Sequence, residues 1–155
     1  LPSEVLLLVA RGFLDEMGGA AGALFGSFFR AAGRSFADAP GIATAALADA
    51  FEAGTEIVMR RGKAEPGDKT MVDALVAATA ASRKAASDAI PVGDALDAIA
   101  AAARQGAELT KDMTASRGRA RYAEEKAIGV QDAGATTVAL LCEAWAAACK
   151  EGTSR

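Results

Sequence analysis

The stretch VGDALDAIAAAARQGAELTKDM, residues 92–113, decides the fold class of this chain. Its apolar and small residues recur at alternating intervals of four and three, which places them on one face of a helix. Charged residues fall on the opposite face. The apolar and small face consists of Val92, Leu96, Ile99, Ala103, Gly106, Thr110 and Met113. This spacing predicts an amphipathic helix over residues 92–113.

Helical spacing continues along most of the chain, and no segment alternates apolar and polar residues over a useful length. Alanine, the strongest helix former, is the commonest residue, whereas aromatic residues make up only 5%. Further helices are predicted to begin near Ser3 and Met71 and to cover residues 21–32, 42–61 and 135–150. Short connections favour antiparallel neighbours. We therefore expect an all-α fold, with residues 1–155 forming one domain, an up-and-down antiparallel bundle or barrel of six helices.

Composition excludes several classes of function. The net charge of −3 lacks the basic surplus that a nucleic-acid binder shows. Without histidine, the chain cannot supply a His-based triad or a His zinc site. No apolar stretch reaches the roughly 20 residues of a membrane span, and the start lacks the basic region of a signal peptide. Cys142 and Cys149 are predicted to be buried small side chains of a cytoplasmic protein.

Four glycine-containing breaks between the predicted helices are candidates for a common site. They are GG at 18–19, EPGD at 65–68, SRGR at 116–119 and QDAG at 131–134. Loops that are two elements apart lie at the same end of an antiparallel bundle. Glycines permit close backbone approach, and helix N-termini offer unpaired amides to an anion. We therefore expect these loops to converge at one end of the bundle.

Each loop by itself also has a purely structural interpretation. In PGDKTMVDAL, residues 66–75, Asp68 is a natural N-cap, and Thr70 with Asp73 resembles a capping box. Small residues also allow tight helix packing, and a basic turn suits a helix C-terminus. The four loops together favour nucleotide phosphates over nucleophilic catalysis, because no serine or cysteine has a recognisable base partner.

The segments GGAAGALFGSFF, KAEPGDKTMVDAL and GRARYAEEKAIGVQDAGATT, in this order, resemble the ADP-binding L subunit or domain of dihydroxyacetone kinase. The resemblance covers nearly the whole chain and implies a barrel of eight antiparallel helices. It implies ADP or ATP with Mg²⁺ at one end, and phosphoryl transfer to dihydroxyacetone held on a separate K subunit or domain. A phosphocarrier subunit is a further candidate partner, and a homodimer is the expected assembly.

The resemblance also assigns nucleotide-binding residues. Ala20 and Ala21 match a small pair that contacts phosphate, although the family often has a serine at the second place. Gly67 matches a backbone contact, and Val76 matches a methionine that packs on adenine. The remaining assignments are Arg119, in the GRA-x-Y motif, and Asp132, Ala133 and Gly134, which match an Asp-Pro-Gly segment. The other residues of PGDKTM are expected to be structural.

Magnesium ligands are the main departure from the family pattern. The resemblance implies that aspartates in a loop before the second of the eight helices bind the metal, whereas this chain starts at the counterpart of the third. We therefore expect the chain as given to be N-terminally incomplete, to bind nucleotide weakly and to be inactive alone, since phosphoryl transfer relies on the metal. The alternatives are a kinase for a related ketose, such as a four-carbon one, a fatty-acid kinase domain, and a non-catalytic helical module.

Overall fold

The computed structural model describes residues 1–37, 40–115 and 128–153, and all regular structure in these ranges is helical. The α-helices are α1 (Pro2–Glu16), α2 (Gly19–Arg34), α3 (Thr44–Gly62), α4 (Met71–Ser87), α5 (Val92–Leu109) and α6 (Ala133–Thr153). A single 3₁₀ turn, Thr110–Asp112, follows α5. The prediction of an all-α chain with six helices is thus confirmed over the described ranges.

Helix packing follows chain order. Each of the helices α1 to α5 packs against the next, and α6 packs against both α5 and α4. The connections after α2 and after α4 meet at one end of the bundle, where the Thr44 hydroxyl donates to the Ile90 carbonyl at 2.7 Å. The last turns of α1, α3 and α5 and the first turns of α2, α4 and α6 therefore lie at the opposite end, as an up-and-down arrangement requires.

Several predicted helix ends differ from the observed ones by one to four residues, and two of these differences have a local cause. Helix α5 ends at Leu109 instead of Met113, because the chain tightens there into the 3₁₀ turn. Helix α6 begins at Ala133, two residues earlier than predicted, because the Asp132 carboxylate accepts a hydrogen bond from the Ala135 amide at 2.8 Å. This is the usual way in which an aspartate stabilises the first turn of a helix.

One close helix contact depends on a glycine. A Cβ atom added to Gly106 of α5 would lie 2.8 Å from the Asp73 carbonyl oxygen and 2.9 Å from the Ala74 Cα atom. Both atoms belong to the first turn of α4, so a side chain at position 106 would force the two backbones apart. The glycine on the small face of α5 therefore brings α5 against the start of α4.

Most of the chain's few aromatic residues gather in one core cluster. Phe29, 1% exposed, stacks on Phe13 of α1 with ring centroids 5.3 Å apart and contacts Trp145 of α6 edge-on at 5.6 Å. Phe51 of α3 contacts the same tryptophan at 6.1 Å. Four helices are therefore joined through their aromatic rings.

An apolar cavity of about 520 Å³ adjoins this cluster at the Thr44 end of the bundle. Its lining includes Leu6 of α1, Leu47 of α3, Leu96 of α5 and Cys149 of α6. The predicted burial holds fully for Cys142, whereas Cys149 is half-buried at the cavity wall. Within the described ranges, no helix is long and apolar enough to cross a membrane.

Candidate functional site

The loop before α4 and the segment before α6 meet at the end of the bundle opposite the cavity. A Cβ atom on Gly134 would lie 3.1 Å from Met71 Cβ, which places the first turn of α6 against that of α4. The Asp132 carboxyl is close enough to Asp73 and Lys69 for both charges to influence it. Two of the four predicted loops therefore converge as expected.

Of the other two predicted loops, the structure describes the one before α2 but not the one around Arg119. Helix α2 begins at the same end, since its Leu24 side chain lies 3.6 Å from the position of a Cβ atom on Gly62, the last residue of α3. Ala20 and Ala21 are thus in the first turn of a helix that starts at this end. Arg119 and the rest of segment 116–127 lie outside the described residues.

The turn at 65–68 is closed by Asp68. Its side chain accepts a hydrogen bond from the Glu65 amide at 2.9 Å, while its own amide donates to the Glu65 carbonyl at 3.2 Å. Gly67 sits in this turn at φ +96°, a backbone conformation that favours glycine. The prediction that Asp68 caps α4 is therefore wrong, because its carboxylate is directed back into the turn.

Thr70 is the residue that caps α4. Its hydroxyl accepts from the Val72 amide at 3.1 Å, and Asp73 in return accepts from the Thr70 amide at 2.8 Å. The predicted capping box of Thr70 and Asp73 is confirmed. Because a capping box satisfies two amides at the helix start reciprocally, it fixes the angle at which the loop enters α4.

Asp73 also holds the glycine turn, a role that sequence reasoning missed. Its second carboxylate oxygen accepts a hydrogen bond from the Gly67 amide at 2.6 Å, and the residue is only 8% exposed. Hydrogen bonds to an ionised acceptor are the stronger kind. The Gly67 amide is therefore engaged within the protein, whereas the space that a Cβ atom of this residue would occupy is open.

Sequence reasoning treated Lys69, in the loop before α4, as a purely structural residue. It is 2% exposed and has a left-handed backbone, φ 57°. Lysine is rarely buried so completely, and nothing in its sequence context marks it as an exception. Its charge acts on the Asp132 carboxyl, so it lies near the meeting point of the two loops.

Asp132 caps α6, and its environment alters its acidity. Burial raises the pKa of its carboxyl above the ordinary 3.8, hydrogen bonds from the Ala135 and Gly134 amides oppose the rise, Asp73 adds to it, and Lys69 opposes it. The net direction is upward. The carboxylate accepts hydrogen bonds from amides in the first turn of its own helix.

Three helices, α2, α4 and α6, start at this end of the bundle. A helix N-terminus carries a partial positive charge and outward-pointing amides, which suit a phosphate. Gly18, the residue before α2, has no side chain that could cap this helix. The side chains of Thr70 and Asp132, by contrast, accept hydrogen bonds from the first turns of α4 and α6. The first-turn amides of α2 therefore have no side-chain partner at the cap.

Val76, in the second turn of α4, is half-buried and leaves part of its apolar surface accessible.

Metal binding has no donor set in the described ranges. No group of three or more histidine, cysteine, aspartate or glutamate side chains could hold a metal ion there. Asp73 and Asp132 are neighbours, but their oxygens accept backbone hydrogen bonds. The described residues thus do not fit a magnesium ion.

Comparison with known proteins gives a consistent family. The model of the DAK2 domain matches residues 1–147. The chain is 44% identical over 139 residues to the L-erythrulose 1-kinase of Mycolicibacterium smegmatis, covering 90% of this chain and 24% of that enzyme. It is 40% identical over 138 residues to the ADP-binding subunit DhaL of the PEP-dependent dihydroxyacetone kinase of Escherichia coli, covering 89% and 66% of the two chains.

A solved structure agrees with this assignment. The crystal structure of the dihydroxyacetone kinase of C. freundii matches with a TM-score of 0.66 and 27% sequence identity. The match covers 94% of this chain and 24% of that enzyme. The chain therefore spans about a quarter of two of these relatives and about two thirds of the third.

Proposed function

The chain belongs to the DAK2 domain family, and from this premise we propose that it is the nucleotide-binding part of a dihydroxyacetone-type kinase. The observation that carries the proposal is the meeting of the Gly67 turn and the Asp132–Gly134 segment at an end of the bundle where three helices start. The E. coli relative is named as an ADP-binding subunit. ADP or ATP is accordingly the proposed ligand.

The phosphates would lie at the first turns of α2 and α6, against Ala20, Ala21 and the backbone of residues 132–134. Arg119 is proposed to add a cation on the ground of the sequence resemblance alone. The adenine would pack on the accessible part of Val76, with the Gly67 carbonyl at its edge. This arrangement binds through backbone amides and small side chains, which hold a nucleotide without taking part in covalent chemistry.

In phosphoryl transfer the chain would orient the nucleotide, while a partner K subunit or domain holds the dihydroxyacetone. The described residues offer no ligand set for Mg²⁺. Binding to a phosphocarrier, assembly as a homodimer, a cytoplasmic location and inactivity of the isolated chain stay predictions.

Calorimetric titration of the full-length protein with ADP in the presence of Mg²⁺ tests the nucleotide site, and Ala20→Asp sharpens it. An aspartate in the first turn of α2 favours the helix dipole but repels a phosphate placed there. We expect thermal stability to be retained while the Kd for ADP rises by at least ~10-fold, the equivalent of about 1.4 kcal/mol. Ala45→Asp, also exposed and in the first turn of α3 at the opposite end, is the matched control.

Two results would contradict the proposal in different ways. Full-length protein that does not bind ADP would favour a non-catalytic helical module of the same fold. Ala20→Asp protein that binds ADP as well as the wild type would move the phosphates away from α2. The control variant should bind ADP like the wild type in either case.

A four-carbon ketose is the second candidate substrate. It is favoured by the 44% identity to an enzyme named L-erythrulose 1-kinase, which exceeds the identity to the dihydroxyacetone kinase subunit. Parallel assays of the full-length protein with its partner on dihydroxyacetone and erythrulose separate the two substrates. A higher kcat/KM for erythrulose would replace dihydroxyacetone in the proposal without changing the nucleotide site.

A further inference from the structure

Thr110 joins the end of α5 to the segment that precedes α6. Its side chain is fully buried, with 0% exposure. The hydroxyl donates a hydrogen bond to the Ala107 carbonyl at 2.6 Å and accepts one from the Asp132 amide at 2.9 Å. A hydroxyl can donate and accept at once, whereas an isosteric methyl group can do neither. Residues that are 22 positions apart are thus held together by one side-chain atom.

A second hydrogen bond supports the same junction. The Gly129 amide donates to the Lys111 carbonyl at 2.8 Å, so that two successive residues of the 3₁₀ turn after α5 bind the segment before α6. Helix α5 is itself anchored on both sides. Gly106 brings it against α4, and Arg104 forms a bidentate pair with Glu143 of α6 at 2.7 Å. The contacts of α5 with α4 and α6 therefore fix the position of Thr110, which follows α5 directly.

We propose that Thr110 is a positioning residue for the nucleotide site, a role that rests on the proposed nucleotide-binding function. By accepting from the Asp132 amide, it fixes the backbone at the residue whose carboxylate caps α6. The Asp132 carboxylate accepts a hydrogen bond from the Ala135 amide, and the Thr110 hydroxyl accepts one from the Asp132 amide. The Ala133–Gly134 backbone between these bonds is thereby held in one orientation toward the end of the bundle where α2, α4 and α6 start, which we call the loop end, in contrast to the cavity end.

The sequence gives Thr110 a different role. It lies on the apolar and small face of residues 92–113, where a threonine is similar in shape to a valine. Nothing in the spacing shows that its hydroxyl has a partner beyond α5. The contact exists because the 3₁₀ turn after α5 places the hydroxyl beside the segment that precedes α6.

The experiment compares Thr110→Val with Thr110→Ser in the full-length protein. Valine keeps the volume and loses both hydrogen bonds, whereas serine keeps the hydroxyl and loses a methyl group. Because valine leaves the Asp132 amide without its acceptor and the Ala133–Gly134 backbone without this restraint, we expect Thr110→Val to raise the Kd for ADP by at least ~10-fold. Thr110→Ser should stay within about twofold of the wild type, since its hydroxyl can make both bonds.

Thr44→Val is the matched control for a general loss of stability. The Thr44 hydroxyl also links a helix to a distant loop, donating to the Ile90 carbonyl at 2.7 Å, but at the cavity end. We expect this variant to lower the melting temperature without changing the Kd for ADP. Hydrogen exchange of the Asp132 amide, measured by NMR without nucleotide, should be at least ~10-fold faster in Thr110→Val than in the wild type, because the amide loses its acceptor.

The outcomes separate this proposal from the proposed function. Unchanged exchange at Asp132 in Thr110→Val, ADP binding equal to that of the wild type, or serine as poor as valine would each overturn the positioning role. A wild-type protein that does not bind ADP overturns the nucleotide function and with it the purpose assigned to Thr110. Faster Asp132 exchange in Thr110→Val would still show the hydrogen bond in that case, so the two failures remain distinguishable.

Discussion

The two ends of the bundle are built from the same six helices but are held in different ways. At the loop end, carboxylates and hydroxyls bind backbone amides, as Asp73 does for Gly67 and Thr110 does for Asp132. At the other end, apolar side chains surround a cavity of about 520 Å³. Hydrogen bonds set directions, whereas apolar packing mainly sets stability. Substitutions at the two ends should therefore change different quantities, namely ligand binding and the free energy of unfolding.

The largest expected effect comes from Phe51→Ala at the cavity end. Phe51 is 2% exposed and contacts both Phe28 and Trp145. Its truncation should lower the free energy of unfolding by about 3–5 kcal/mol, the usual cost of removing a buried phenylalanine ring. Urea denaturation measures the loss. ADP affinity of the folded variant at low temperature should be unchanged, and a large decrease would show that the two ends are not independent.

A smaller effect is expected where the packing of α5 reaches the loop end. Gly106→Ala places a methyl group against the backbone of Asp73 and Ala74, and should cost about 1–3 kcal/mol through overpacking. Because Asp73 holds the Gly67 turn, ADP affinity should fall as well. Gly93→Ala on the same helix is the control, since its new Cβ atom meets only the Cys149 sulfur at 3.9 Å. Equal behaviour of the two variants would refute the close-contact explanation.

Asp73→Asn tests the hydrogen bonds of the loop end directly. Asparagine keeps one acceptor oxygen but directs an NH₂ group at one of the two amides, which leaves a mostly buried donor unpaired. We expect a loss of about 1–2 kcal/mol in stability and weaker ADP binding, measured by urea unfolding and calorimetry. Asp88→Asn removes only the exposed pair with Lys84 and should change neither quantity appreciably. ADP binding that survives Asp73→Asn would mean that the Gly67 turn is not part of the site.

The smallest effect is a dependence of stability on pH. Because folding raises the pKa of Asp132 above the ordinary 3.8, the folded protein favours the protonated carboxyl. The stability contributed in this way is fully present below pH 3.8 and is lost as the pH rises through the raised pKa of the folded state. Asparagine caps helices as well as aspartate does but does not titrate.

Urea unfolding of wild type and Asp132→Asn at a series of pH values checks this sign. The stability of the wild type relative to the variant should fall over that pH interval and level off above it. A relative stability that rises with pH would show that the hydrogen bonds from Ala135 and Gly134 outweigh burial of the carboxyl.

The spacing of apolar residues was sufficient to predict the helices, because each helix buries one face and its apolar residues therefore recur with the helical period. The capping box of Thr70 and Asp73 was also predictable, since its partners are three residues apart. The assignment of the cap to Asp68 was wrong because a local pattern does not show which way a carboxylate turns. Two further features, the burial of Lys69 and the Thr110 hydrogen bond, depend on elements that meet only in the folded chain. The nucleotide-binding roles of the eight assigned residues stay predictions.

Trp145 gives the bundle a built-in optical reporter. It is the one tryptophan of the chain, and it sits on α6 between the aromatic cluster and the cavity. The first turn of the same helix lies at the loop end, so Trp145 and part of the proposed phosphate site belong to one continuous helix. A change in its emission on adding ADP would mean that α6 shifts as a body. Constant emission would mean that the ligand is accommodated by the loops alone.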